Sequence, residues 1–151
     1  MINVRIQTDS DSGSVKSIIS ASTKELRDIY RPIKNSAQSE TKEPVCIVAI
    51  IDKHIIGAAE YLINKNFVLI RNLAVSPGHR RRGAARAIIE HIILTAKNTG
   101  KIKVSLSTIK EAGAINIFLH MGFNVDSALI SKKFEGVHCE QVTQVNMSQS
   151  I

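Results

Sequence analysis

Between residues 67 and 98 the chain runs from an apolar stretch, FVLIRNLAV, through SPGHRRRG into a segment whose apolar residues recur at helical spacing. Ala85, Ile88, Ile89, Ile92, Ile93 and Ala96 make one stripe, Arg86, Glu90 and Lys97 face away from it, and Gly100 is placed to end the helix. A strand that hands over directly to an amphipathic helix needs a sheet with helices packed on it, which points to a mixed α/β fold.

The flanking sequence supplies the rest of that sheet. INVRIQ (2–7) alternates as a short strand, and a helix is expected from Val15 to Tyr30, where Pro32 stops it. Residues 33–44 read as a loop or a frayed second helix. VCIVAIID (45–52), IIGAAEYLI (55–63) and FVLIRNLAV (67–75) form a three-stranded antiparallel meander, with Lys53-His54 as the first turn. KIKVSLST (101–108) follows the long helix as a strand, and Ala114, Ile117, Phe118 and Met121 give a short helix closed by Gly122. The last segment reads as two strands around Glu135-Gly136. The expected order is β-α-α-β-β-β-α-β-α-β-β, one domain over 1–151 with a mostly antiparallel mixed sheet flanked by helices.

With 151 residues, 44% of them hydrophobic, the chain can bury one core. The formal charge of +7 predicts an anionic partner. Nucleic acid is disfavoured because Trp is absent and the few aromatics do not alternate with Lys or Arg. A membrane is disfavoured because the longest apolar run, Val45 to Ile51, is far below the roughly 20 residues of a spanning helix. The N-terminal residues lack a signal-peptide pattern, and Cys46 and Cys139 have no CxxC spacing, which implies a cytoplasmic location and no metal clamp.

The strand-to-helix turn carries the chemistry. The first turn of a helix leaves backbone N–H groups unpaired and partially positive, and Arg80, Arg81, Arg82 and Arg86 add full charges beside them. A phosphate or diphosphate is the natural counterion. Gly78 and Gly83 have P-loop spacing, but Ala84 and Ala85 stand where Lys and Ser or Thr are required, so NTP hydrolysis is disfavoured. A dinucleotide fingerprint, a GxSxG elbow, HExxH and a Cys/His cluster are all missing from the sequence.

LAVSPGHRRRGAARAII resembles the acyl-CoA-binding signature of the GNAT N-acetyltransferase superfamily: a Leu-Ala-Val-like strand end, a Pro turn, then Arg-x-x-Gly-x-Ala at Arg80 to Ala85. KVSLST and AGAINIFLHMGF resemble the second block of that superfamily, so the likeness covers about residues 67–123. It implies that amides from Arg82 to Arg86, including those of Gly83, Ala84 and Ala85, cradle the diphosphate of acetyl-CoA. It also implies that Leu73, Ala74 and Val75 pair their main chain with pantetheine, and that Phe118 lines the cofactor site. Acetyl transfer from acetyl-CoA to a primary amine is the function implied, with no metal and with a homodimer through the terminal strands, as is common among relatives.

Transfer needs a neutral amine, a polarised thioester carbonyl and a stabilised thiolate. The Val75 N–H is the candidate for the carbonyl and Glu60 the candidate base. Tyr61 is expected on the opposite face of its strand from Glu60, and Arg71 on the same side as Leu73 and Val75, where it offers a site for an acidic part of a substrate. Tyr30 and Arg31 are expected at the end of the first helix, as a wall of the acceptor site. The superfamily's frequent Tyr on the last helix is Phe118 here, and the frequent Asn seven residues earlier is Glu111. Phe118 therefore keeps open an acyl-CoA-binding module with weak or lost transfer. A basic nucleic-acid-binding protein is the third reading.

Overall fold

The computed structural model describes residues 1–34 and 42–151. Among these described residues eight strands and three α-helices follow in the order β1 (Asn3–Ile6), α1 (Ser12–Leu26), β2 (Tyr30–Pro32), β3 (Val45–Ile51), β4 (His54–Ile63), β5 (Phe67–Val75), α2 (Ala84–Asn98), β6 (Lys103–Ile109), α3 (Ile115–His120), β7 (Asn124–Gly136) and β8 (Gln141–Ser150). The strands form one sheet in the order β1-β3-β4-β5-β6-β8-β7-β2. Only β5 and β6 run parallel, joined by α2 as their crossover.

Alternation along the central strands divides the core between two faces. Ile47, Ala49, Ala59, Tyr61, Val68 and Ile70 pack with Ile88, Ile89 and Ile92 of α2 on one face. Val48 and Ala58 pack with Val15 and Ile19 of α1 on the other. The fully buried Ile88, Ile89 and Ile92 contribute about 1.5–3 kcal/mol each relative to exposure, which makes the stripe the main attachment of α2. α2 lies close enough to β4 that a Cβ at Gly57 would stand 3.2 Å from Ile88 Cδ1 and 3.2 Å from the Ala74 carbonyl oxygen. No helix among the described residues is long and apolar enough to cross a membrane.

Three expectations are corrected. The first helix ends at Leu26 rather than Tyr30, and Tyr30–Pro32 forms an edge strand whose partners are Gly136, Glu135 and Phe134 of β7. Pro32 is tolerated there because it sits at the sheet edge. The β3–β4 turn is Asp52-Lys53, one residue early, with φ of 47° and 69° as a tight hairpin turn requires. The last hairpin turns at residues 137–140 rather than at Glu135-Gly136, because Glu135 pairs with Gln141 of β8 and Arg31 of β2, and Gly136 with Tyr30, which keeps both in β7. The expected second helix falls within 33–44, most of which lies outside the described residues.

Candidate functional site

β5 and β6 pair only through Phe67–Leu69 and Lys103–Ser105, although β5 continues to Val75 and β6 to Ile109. Beyond Leu69 and Ser105 the strands diverge and leave main-chain edges facing a wedge. β6 is paired with β8 along its other edge as far as Ile109 with Gln144, so only the wedge edge is open. A polar edge of this kind pairs readily with an extended amide-bearing ligand.

A bulge decides which groups line the wedge. The β4–β5 register shifts between Ala58 and Glu60, and Asn72 opposite that shift has φ +54°. The Ser76 N–H bonds to the Ile56 carbonyl at 2.8 Å, so by the alternation of an antiparallel ladder the N–H and C=O of Val75 point away from β4, into the wedge. The bulge also corrects the expectation for Arg71. Leu73 and Val75 pack on the α2 face, whereas Arg71 is opposite Glu60 on the α1 face. Ala74 is buried opposite Ala58.

The α2 N-terminus stands at the end of β5. Gly83, with φ +90°, is its N-cap, and the first backbone bond of the helix runs from the Ala87 N–H to the Gly83 carbonyl at 2.9 Å. The amides of Ala84, Ala85 and Arg86 precede that bond and form the positive pole of α2. Ala84 is buried against the core, while Arg81, Arg82 and Arg86 are exposed and make no ion pair among the described residues. Arg80 differs from them, holding Glu25 of α1 through Nη1 at 2.8 Å and Nη2 at 2.7 Å. That guanidinium keeps the Glu25 carboxyl below its ordinary range. His79 in the same turn has a buried Nδ1 with no hydrogen-bond partner among the described residues. An open strand edge, three unpaired amides, free arginines and an unsatisfied ring nitrogen together suit a phosphate-bearing ligand with an amide-containing arm.

Glu60 is half-buried rather than solvent-facing: its side chain is 17% exposed, Arg71 Nη2 stands 3.8 Å from Oε2, and Asn72 Nδ2 donates to Oε1. Its strand partner Cys46 has its thiol pushed up by burial and then by the Glu60 charge. Tyr61 points to the opposite face, buried in the α2 core, where burial raises its hydroxyl despite a bond with Thr95. Phe118 is partly buried against that core, edge to face with Phe123 at 6.1 Å. Glu111 accepts the Thr143 N–H of β8 at 2.7 Å and so braces the sheet.

Tyr30 and Arg31 are held by β7. The Tyr30 ring packs edge to face on Phe134 at 5.0 Å under the Arg27 guanidinium at 5.6 Å, and burial raises its hydroxyl. Arg31 Nε stands 3.1 Å from Glu135 and lines a depression of about 400 Å³ beside the β7–β8 turn. A second depression, about 320 Å³, lies between residues 6–9 and Pro44–Cys46, at the edge of β3. Sequence spacing pointed to neither, nor to the Glu25–Arg80 pair, whose members are 55 residues apart.

Residues 14–123 match the model of the family described as Acetyltransferase (GNAT) family. No curated protein matches the chain. Among solved structures, a GCN5-related N-acetyltransferase from Kribbella flavida is similar at 17% identity, covering 99% of this chain and 98% of that one, with a TM-score of 0.75. The ribosomal-protein-S18-alanine N-acetyltransferase from Escherichia coli is similar at 16% identity over 100% of this chain and 94% of that one, TM-score 0.71. A GNAT family acetyltransferase from Elizabethkingia anophelis, solved with acetyl-CoA bound, is similar at 14% identity over 99% and 98% of the two chains, TM-score 0.67. At these identities the likeness is one of fold.

Proposed function

The chain belongs to the acetyltransferase (GNAT) family, and from that premise we propose that it transfers the acetyl group of acetyl-CoA directly to a primary amine. The observation that carries this reading is the wedge at the end of β5, with the Val75 N–H turned into it and the unpaired amides of α2 at its mouth. The solved relative with acetyl-CoA bound supports the choice of cosubstrate.

In this reading Leu73, Ala74 and Val75 offer the strand edge to pantetheine, and the amides from Arg82 to Arg86 hold the diphosphate with Arg81, Arg82 and Arg86 as counter-charges. Acetyl-CoA supplies an activated acyl group. The Val75 N–H polarises the carbonyl, and a preformed donor of this kind contributes about 10²–10³-fold in rate. Glu60 takes the ammonium proton directly or through water, a necessary step because a lysine-type amine has a pKa near 10.4. The Asn72 amide and Arg71 keep that carboxylate oriented. Tyr30 and Arg31 wall the acceptor side, and Arg71 meets an acidic portion of the acceptor. Phe118 shapes the cofactor site without giving a proton, so the departing thiolate is protonated by water.

No metal enters this scheme. A cytoplasmic setting accords with two free thiols, Cys46 and Cys139. For a homodimer through the terminal strands, β8 is covered by β6 and β7 on its two sides and β2 covers β7 at Phe134–Gly136, which leaves the earlier part of β7, where Val125, Leu129 and Ile130 are exposed.

Phe118 favours a second reading, an acyl-CoA-binding module with weak transfer. Calorimetric titration with acetyl-CoA followed by thiol release across a panel of amines at mildly alkaline pH separates the two. Binding with turnover supports the enzyme, binding without turnover supports the module, and no binding rejects both.

A further inference from the structure

The arginines that open α2 look equivalent in sequence, yet their partners differ. Arg80 carries a bidentate pair to Glu25 in the last turn of α1, at 2.8 and 2.7 Å, and its Nε reaches the Val75 carbonyl at 3.4 Å. From the loop that leads into α2, one guanidinium thus touches two places: the helix on the α1 face of the sheet and the final residue of β5. Both groups are substantially exposed, with side-chain exposures of 42% and 51%, so the pair adds little to overall stability. Three of the five guanidinium N–H groups, among them the pair that would grip a diphosphate fork to fork, are committed to a carboxylate and a carbonyl, and the Glu25 carboxylate already balances the charge. Arg81, Arg82 and Arg86 carry no such commitment.

We infer that Arg80 is a positioning residue rather than a phosphate ligand: with Glu25 it clamps α1 to the end of β5 and holds the Val75 peptide in place at the mouth of the wedge. This rests on the acetyltransferase reading only in that Val75 serves the reacting carbonyl. Displacing the clamp frees the β5 end and the last turn of α1 together, which couples the cofactor side of the wedge to its α1 side.

A double-substitution cycle tests it with Glu25→Gln, Arg80→Gln and the combined variant, each measured for acetyl-CoA affinity by calorimetry and for kcat at saturating acetyl-CoA. The clamp predicts that either single change lowers kcat by about fivefold, the size of a surface pair expressed as a rate, and that the combination is no worse than either alone. A diphosphate role predicts opposite signs: Arg80→Gln weakens uptake, whereas Glu25→Gln releases Arg80, leaves kcat intact and tightens uptake. That second pattern overturns the inference. If the unaltered protein takes up no acetyl-CoA, the acetyltransferase reading fails on its own, and the clamp is judged from hydrogen exchange at the Ser76 amide, bonded to Ile56 at the end of β5, and at the amides of the last turn of α1. Faster exchange at both places in either single variant sustains it there, and unchanged exchange at either place rejects it.

Discussion

Gly83 and Gly78 lie in the same loop, and in both places a Cβ would meet nothing within 4 Å. They differ in backbone conformation, because Gly83 has φ +90° as the N-cap of α2 while Gly78 is not among the positive-φ residues. Replacing either by Ala restricts the unfolded chain equally, a gain of about 0.4–1 kcal/mol that cancels when the two variants are compared. The difference isolates the cost of a left-handed alanine, about 1–2 kcal/mol. For a chain of this size each kcal/mol moves Tm by about 2–4 °C, so Gly83→Ala should melt roughly 2–8 °C below Gly78→Ala. Scanning calorimetry of both variants measures this, and acetyl-CoA titration reads the effect on the site. Affinity should fall as well, because the methyl group enters the open space beside the amides from Arg82 to Arg86 that the diphosphate is proposed to fill. Equal melting temperatures would show that Gly83 is not held left-handed, and the placement of the α2 amides would then lose its basis.

Asp11 receives the Arg5 guanidinium at 2.6 Å and the Thr8 N–H at 2.7 Å, which together hold its carboxyl well below the ordinary range. A depressed carboxyl adds stability that is full above its unfolded pKa, near 3.9, and is lost as pH falls through the folded value. Asp11→Asn should therefore melt lower than the unaltered protein at neutral pH, with the gap closing below about pH 4; a gap independent of pH contradicts the assignment. Glu60→Gln should lower kcat by about 10²–10⁴-fold without changing acetyl-CoA affinity. The same change lowers the Cys46 thiol pKa, so its alkylation should speed up while that of exposed Cys139 stays constant, and mass-resolved labelling reads both. Phe118→Tyr should raise kcat with little effect on stability, because the ring is only partly buried; stopped-flow thiol release measures the gain, and an unchanged rate argues that proton donation does not limit turnover.

Periodicity made the central elements legible. β5 is found at the expected residues and α2 begins directly after Gly83, because a period of 2 giving way to one of 3.6 is visible within a single window. What stayed hidden depends on distant partners. Nothing local separates Asp28-Ile29-Tyr30 from a final helical turn; the edge strand forms because Tyr30 meets Phe134 and Gly136, more than a hundred residues later. The Glu25–Arg80 pair is equally invisible, and without it the four arginines of the turn read as one cluster. Asn72 carried a weak signal, since Asn adopts positive φ more readily than most residues, but alternation across FVLIRNLAV masks the extra residue.

That extra residue turns an ordinary strand end into the candidate site. The Asn64 N–H bonds to the Phe67 carbonyl at 2.9 Å, and continuing the ladder at that register makes Glu60 with Arg71, Ala58 with Leu73 and Ile56 with Val75 the hydrogen-bonded pairs. An unbulged β5 would spend the Val75 N–H and C=O on Ile56 and put the Val75 side chain on the α1 face with Arg71. The bulge instead gives Ile56 to Ser76, which releases the Val75 peptide into the wedge and carries its side chain to the α2 core. Arg71 and Glu60, just before the shift, keep their place on the α1 face. One insertion therefore sets a main-chain donor and a carboxylate on neighbouring strands with different outlooks, the donor along the sheet plane and the carboxylate above it. In the proposed reading, an acyl carbonyl held at the strand edge is approached by an amine from the α1 side, without the cofactor and the acceptor competing for the same wall.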